Sequence, residues 1–126
     1  MRRHSARLAL LGLGALVALP ASAQPEPSVR ARCGDLREAL AGLPPPSGEA
    51  YMTIQVEGEV SAATSGEALV FMVICRPPDP QVACITYTTE GRGPGDRIVV
   101  AGAYTPGDPN RIVLDPCIHF AAEPTK

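Results

Sequence analysis

Apolar and polar residues alternate in the stretch YMTIQVEGEVSA, which is the pattern of a β-strand with one buried face. Met52, Ile54 and Val56 occupy the apolar positions, and threonine, glutamine and glutamate lie between them. Gly58 falls on the apolar side, where a missing side chain often lets a strand bend sharply. We therefore predict a long first strand that bends at Gly58.

Four further apolar stretches follow, separated by segments rich in glycine and proline. They predict strands over residues 68–75, 82–88, 97–104 and 111–117. The second and third strands of the resulting five are apolar on both faces over part of their length. An open sheet of such strands would leave edges prone to aggregation, so we predict that the five strands form a meander that closes into a small barrel.

A short helix is predicted before the first strand. Leu36, Leu40 and Leu43 recur at helical spacing over residues 36–42, and Asp35 is positioned as an N-terminal cap. Glycine and three prolines end the pattern. The leucine face of this helix is expected to pack against the barrel.

Residues 1–23 have the three-part layout of a secretory signal. Three arginines lie ahead of an uninterrupted apolar stretch over residues 8–19, and small residues precede Gln24. The stretch has twelve apolar residues, fewer than the roughly 20 needed to cross a bilayer. We therefore expect cleavage before Gln24, a periplasmic or secreted protein, and no membrane span.

Cleavage would leave 103 of the 126 residues, enough for one domain. We predict a flexible proline-rich leader over residues 24–31, one domain over residues 32–120 and a flexible tail over residues 121–126. Three of the eleven basic residues precede the cleavage site and all thirteen acidic residues follow it, so the mature chain carries eight basic side chains and a formal charge of −5. This charge disfavours nucleic acid and anionic membranes as partners.

The four cysteines are expected to form two disulfides, because exported proteins meet an oxidising environment. Cys75 and Cys84 flank a proline-rich turn between two strands, and we expect them to face each other across a hairpin. Cys33 and Cys117 would then pair by elimination. Four cysteines permit three pairings in all, so the other two stay open.

The runs VEGEVSA and GDRIVVAGAYTPGDPNRIVL resemble the first strand and the final hairpin of OB-fold domains. The likeness extends over about residues 51–118, and its matching residues are Gly58, Val60, Gly95, Asp96, Ile98, Val100 and Gly102. It implies a mainly β, five-stranded OB-like barrel, closed or partly open, preceded by one short helix. Many OB domains place a helix between strands three and four, but residues 89–96 leave room only for a loop, so the preceding helix is expected to close the barrel's end instead.

No catalytic signature is found in the chain. His119 is the only histidine after the predicted cleavage site, and no Gly-x-Ser-x-Gly turn presents a serine to a base. Glu57 and Glu59 alternate outward on a strand, where a solvated face is the default. We predict a protein that is not an enzyme and has no cofactor. Cys117 and His119 leave metal handling as an alternative, although no Cys-x-x-Cys pair supports it and His119 is expected to be exposed.

OB-type barrels bind ligands on the face of strands two and three and the adjoining loops. The resemblance therefore implies a ligand-binding surface with Ser65 and the turn over residues 105–110 at its rim, formed by Arg76, Thr86, Tyr87 and Arg92. We predict a monomeric binding or envelope-interaction module for an unidentified periplasmic protein or small ligand. The alternative is an OB-type binder of oligosaccharide or single-stranded nucleic acid.

Overall fold

The computed structural model describes residues 12, 14–18, 26–43 and 52–124. One helix, α1, follows the first strand and a turn of 3₁₀ helix at Cys33–Asp35. The strands and the helix, in chain order, are β1 (Val29–Arg32), α1 (Leu36–Ala41), β2 (Met52–Ser65), β3 (Val70–Ile74), β4 (Gln81–Thr86), β5 (Arg97–Tyr104) and β6 (Arg111–Ala121).

Strands β2 to β6 form the closed five-stranded barrel that the OB resemblance implies. Around the barrel the order is β2, β3, β4, β6, β5 and back to β2. Neighbouring strands are antiparallel except β4 and β6, which run parallel. The predicted meander is therefore wrong in its connections. The chain crosses from β4 to β5 without pairing the two, and β6 returns between them, which is the Greek-key order of an OB barrel.

The first barrel strand, β2, is shared between two neighbours and changes from one to the other just after Gly58. Its first half pairs with β5 from Met52 to Glu59, and its second half pairs with β3. The register with β3 shifts between Val60 and Ala62. At the change-over the backbone of Val60 also bonds to Asp96 and Gly95, just ahead of β5. Gly58 is buried immediately before this point.

Gly58 also makes room for a disulfide. A Cβ atom at this position would lie 2.5 Å from the Sγ of Cys33 and 3.5 Å from the Sγ of Cys75. Real Cβ atoms do not approach sulfur that closely, so the strand needs glycine here for space as well as for its bend. Gly102 on β5 is also required for space. A Cβ atom added there would collide with the carbonyl oxygen of Pro116, where β6 bulges.

Strand β1 begins within the segment predicted as a flexible leader, and its first three residues, 29–31, are paired in a sheet rather than flexible. Residues 29–32 pair in parallel with residues 54–57 of β2. Val29 is buried in the core, and Ala31 packs against it. The alternation of these residues with Arg30 and Arg32 is a strand pattern, but four residues are too few to stand out beside the prolines ahead of them. At the other end β6 continues to Ala121, one residue into the predicted tail.

Helix α1 confirms the predicted helix and closes one end of the barrel. Leu36 is fully buried, and Leu40 and Leu43 pack against the core. The guanidinium of Arg37 donates a 2.9 Å hydrogen bond to the carbonyl of Pro78 in the β3–β4 turn. Asp35 makes no side-chain capping bond, because the preceding 3₁₀ turn already gives it a helical backbone conformation.

All four cysteines form disulfides, but the predicted pairing is wrong. Cys33 is bonded to Cys75, and Cys84 is bonded to Cys117. The hairpin register explains the difference, because Cys84 lies opposite Met72 of β3. Cys75 has already left the strand with a positive φ of 71° and lies beside the 3₁₀ turn that carries Cys33.

Most of the predicted signal segment lies outside the described residues. Residues 12 and 14–18 are described without regular structure, and the side chain of Leu16 is fully exposed, so this apolar stretch is separate from the core. Within the described part of the chain, no helix is long and apolar enough to span a membrane.

Replacing Gly58 with alanine is expected to destabilise the domain by about 1–3 kcal/mol, the usual cost of an added methyl group in a filled core. Urea unfolding measures the change. Gly107→Ala is the matched control, because a Cβ at Gly107 meets nothing within 4 Å, and we expect a change within about 0.5 kcal/mol. In a Cys33→Ala/Cys75→Ala background the cost of Gly58→Ala should shrink, because the sulfur atoms are gone. An equal cost in both backgrounds would contradict the steric role of the disulfide.

Candidate binding surface

The outer surface of the barrel has a polar side along β2. Thr53, Gln55 and Glu57 point outward between the buried residues of this strand. The carboxylate of Glu57 accepts a 2.7 Å hydrogen bond from Arg97 of β5, and Glu59 lies 3.8 Å from Arg76. The two glutamates are thus held by separate cations and do not act as a carboxylate pair.

The opposite side of the barrel, over β3, β4 and β6, exposes large apolar side chains. Phe71 of β3 is 41% exposed, Ile118 of β6 is 55% exposed, and Tyr87 at the end of β4 is 81% exposed. Val113 and Phe120 of β6 are also exposed. Solvent-facing apolar patches of this kind mark interaction sites on soluble domains. We call these five residues the apolar face.

The strands that carry the apolar face are neighbours in the barrel. Phe71 lies opposite Ile85 on the β3–β4 hairpin, and Ala83 of β4 lies beside Val113 of β6. The Cys84–Cys117 disulfide, with 5.3 Å between its Cα atoms, joins β4 to the second half of β6. Ile85 and Ile118 each follow one of these cysteines and face outward, since the cysteines themselves are buried.

The sequence did not single out Phe71, Val113, Ile118 or Phe120 as functional residues. For Phe71 the available signal was the apolar character of both faces of the second strand, whereas Val113, Ile118 and Phe120 lie on the fifth strand, β6. On a barrel with a single filled interior, the second apolar face has to point outward, so this pattern marks a surface rather than extra core.

The predicted ligand-binding residues do not form one site. Tyr87 lies beside the apolar face, whereas Thr86 is 8% exposed and its side chain points into the barrel. Arg76 lies in the β3–β4 turn, at the opposite end of β4 from Tyr87. Arg92 lies in the β4–β5 loop, where its guanidinium contacts Glu90 and His119.

The predicted rim is also divided between the two ends of the barrel. Ser65 and Tyr87 line one open groove of about 310 Å³, together with the β2–β3 loop, Thr88 and Thr89. The turn over residues 105–110 lies at the other end, where Gly107 and Pro109 line a cavity of about 230 Å³ beside α1.

His119 is not exposed as predicted but is 9% exposed at the end of the barrel opposite α1. Its Nε2 lies 2.7 Å from the carbonyl oxygen of Thr88, and its Nδ1 lies 2.9 Å from Nη1 of Arg92. Cys117 is bonded to Cys84, so its sulfur is not a thiolate available to a metal. Among the described residues no group of three His, Cys, Asp or Glu side chains is arranged to hold a metal ion.

Comparison with known proteins gives a structural likeness only. No protein-family model matches the chain, and no curated protein matches it. A chain in the crystal structure of the S. pombe Stn1-ten1 complex is similar with a TM-score of 0.37 and 13% sequence identity. The match covers 56% of this chain and 59% of the chain in that complex. This chain therefore matches less than two thirds of the length of the other.

The ion pair on the polar side makes stability depend on pH. The hydrogen bond from Arg97 lowers the pKa of Glu57 below 4.5, the charges of Arg97 and Arg32 add to this effect, and partial burial opposes it. A lowered pKa in the folded state means that the carboxylate stabilises the fold above about pH 4.5, and that this contribution is lost as the pH falls through the folded-state pKa.

Wild-type protein is therefore expected to lose more stability than Glu57→Gln when the pH is lowered from 6 to 3. Urea midpoints at the two pH values measure the difference, which should be modest because the pair is accessible to solvent. Glu67→Gln is the control, because it removes an exposed carboxylate that forms no ion pair in the described structure. Equal pH dependence of wild type and Glu57→Gln would contradict the assignment.

Proposed function

We propose that this chain is an exported, non-catalytic binding module that binds a protein partner through the apolar face. The observation that carries this proposal is the division of the barrel surface. The β2 side is polar and ion-paired, whereas the β3–β4–β6 side exposes phenylalanine, isoleucine, valine and tyrosine. Fully buried interface cores are depleted in charge and enriched in aromatic residues, and the apolar face has this composition.

A protein is a better fit to this face than a polar ligand. The face lacks a cluster of basic side chains for phosphate recognition: Arg76 and Arg97 are ion-paired with glutamates of the polar side, Arg92 contacts His119, and Arg111 of β6 is a single exposed arginine. The acidic mature chain also disfavours nucleic acid. Burial of the exposed parts of Phe71 and Ile118 against a partner would be favourable at about 25 cal/mol per Å² of apolar surface.

Export is proposed on two observations. The exposed apolar segment around Leu16 follows the arginines of the predicted signal, and it is separate from the barrel core. All four cysteines are bonded in two disulfides. Structural disulfides form and persist in oxidising compartments. A periplasmic location accounts for both.

An oligosaccharide is a second candidate ligand, favoured by the groove at Tyr87. This side chain is the most exposed aromatic of the described domain, and the hydroxyl groups of Ser65, Thr88 and Thr89 line the same groove. An aromatic ring that stacks on a sugar and hydroxyls that bond to it would form a small glycan site.

Export is tested with the full chain carrying a C-terminal tag in a bacterial host. We expect protein from the osmotic-shock fraction to begin at Gln24 by intact mass, with no free thiols. Leu10→Arg, which places a charge in the apolar stretch, should leave an unprocessed chain in the cytoplasm. Retention of residues 1–23 on protein recovered outside the cytoplasm would contradict the cleavage, and wild-type protein confined to the cytoplasm would contradict export.

Partner binding is tested by placing charge on each side of the barrel. Tagged wild-type protein and the tagged control Thr53→Glu/Gln55→Glu should both retain a partner protein from an envelope extract. Tagged Phe71→Glu/Ile118→Glu should not retain it. With the purified partner we expect Phe71→Glu/Ile118→Glu to weaken binding at least about 30-fold, the size of a 2 kcal/mol hot spot. Urea unfolding checks that both variants are folded.

The outcomes separate the two candidates. Equal capture by all three proteins, or capture of nothing by wild type, contradicts a protein-binding role for the apolar face. Binding of immobilised glycans that is lost in Tyr87→Ala and retained in Phe71→Glu/Ile118→Glu would favour the oligosaccharide site instead.

A further inference from the structure

The loop between β4 and β5 lies at the end of the barrel opposite α1, and its first part, residues 88–92, is attached to β6 through the imidazole and the backbone carbonyl of His119. His119 of β6 contacts this loop through both ring nitrogens: Nε2 lies 2.7 Å from the carbonyl oxygen of Thr88, and Nδ1 lies 2.9 Å from Nη1 of Arg92. The same Arg92 nitrogen donates to Glu90 at 2.8 Å and to the carbonyl of His119 at 3.5 Å. These bonds hold residues 88–92 against the barrel.

The chemistry of the two partners fixes the state of the ring. A carbonyl oxygen only accepts hydrogen bonds, so Nε2 has to carry a proton. A guanidinium only donates, so Nδ1 has to be unprotonated and accept. Both bonds are satisfied together only by the neutral imidazole that carries its proton on Nε2.

A proton added at Nδ1 would face a cation. The N–H of the imidazolium and the N–H of Arg92 would meet at hydrogen-bonding distance with no acceptor between them, and both groups would be positive. Glu90 is the only carboxylate at the described cluster, and it is already bonded to Arg92. From β5 the residue opposite His119 is the uncharged Val100, and the neighbouring Cys84–Cys117 bridge is also uncharged. Protonation of Nδ1 therefore removes the hydrogen bond from Arg92 and places two positive groups side by side.

We propose that His119 is a proton-sensitive latch for the β4–β5 loop. The neutral ring fastens the loop through Thr88 and Arg92, and protonation of the ring releases Arg92 and the residues beside it. Since Thr88 and Thr89 line the groove that contains Tyr87, release of the loop changes the shape of that groove. An exported protein meets the pH of its surroundings, and the loop would respond to it directly.

His119 is the one side chain suited to this response. The chain has two histidines, and the other, His4, precedes the predicted cleavage site. Histidine is the side chain whose ordinary titration falls between pH 5 and 8. The effect of His119 on the loop is therefore isolated by replacing this one side chain.

The test follows backbone order in the mature protein by ¹⁵N relaxation at pH 7.5 and pH 5.0. For Glu90, Gly91 and Arg92 we expect backbone order parameters of about 0.85 at pH 7.5 and below about 0.6 at pH 5.0. The order parameters of the strands should stay the same at both pH values. The chemical shifts of the His119 ring nitrogens, recorded at both pH values, report whether the ring is neutral or protonated.

Two variants separate the latch from a general effect of acid. His119→Gln keeps one donor and one acceptor without a charge change, so its loop should stay ordered at both pH values. Arg92→Gln removes the cation that repels the imidazolium, so the difference in order between the two pH values should be smaller than in wild type. The proposal is overturned if the wild-type loop stays ordered at pH 5.0, whether or not the ring is protonated. It is also overturned if His119→Gln loses order as wild type does.

The latch operates whether or not the apolar face binds a protein. Loss of partner capture in the charge variants and loss of loop order at pH 5.0 are measured on different residues. Failure of one leaves the other unaffected.

Discussion

The barrel depends on one strand that has to serve two neighbours in succession. β2 pairs with β5 along its first half and with β3 along its second, so it has to bend and shift register within two or three residues. A side chain on the inner face of that bend would point into the most crowded part of the interior. Gly58 removes it, and the space is taken by the Cys33–Cys75 bridge. The closure of the barrel, the position of β1 and the attachment of α1 all follow from this arrangement.

The two disulfides fasten the parts of the chain that the barrel's local hairpins do not hold. Cys33–Cys75 joins the β1–α1 segment to the end of β3, and Cys84–Cys117 joins two parallel strands that are distant in the sequence. With sequence separations of 42 and 33 between the bonded cysteines, the loop-entropy estimate gives about 4 kcal/mol for each bridge. Small domains are stabilised by only about 5–15 kcal/mol in total, so these bridges form a large part of the margin.

The sequence could predict what depends on local pattern. Alternation in β2, the buried glycine at its bend, the leucine spacing of α1 and the strand at Arg97–Tyr104 are all readable from neighbouring residues. The disulfide pairing could not be read in this way, because it depends on the register of the β3–β4 hairpin. That register places Met72 opposite Cys84, and a turn of six residues with a positive φ at Cys75 sets it.

The candidate surface shows the same limit. Thr86 and Tyr87 were both predicted as ligand-binding residues, but Tyr87 is exposed and Thr86 points inward. The direction of each side chain at the end of β4 follows from the pairing of Val70 with Thr86. The contact of His119 with Arg92 joins two residues 27 positions apart in sequence. Contacts of that range come from the Greek-key crossing, which no local period indicates.

The order of the bonded cysteines along the chain has a consequence for how the two disulfides form. The first cysteine is joined to the second and the third to the fourth, so the two covalent loops follow one another without overlapping. In a chain that crosses a membrane with its N-terminus first, each thiol that reaches the oxidising side finds its native partner as the next thiol to arrive. An oxidant that links thiols in order of appearance would therefore produce the correct bridges directly, without an isomerase to rearrange them.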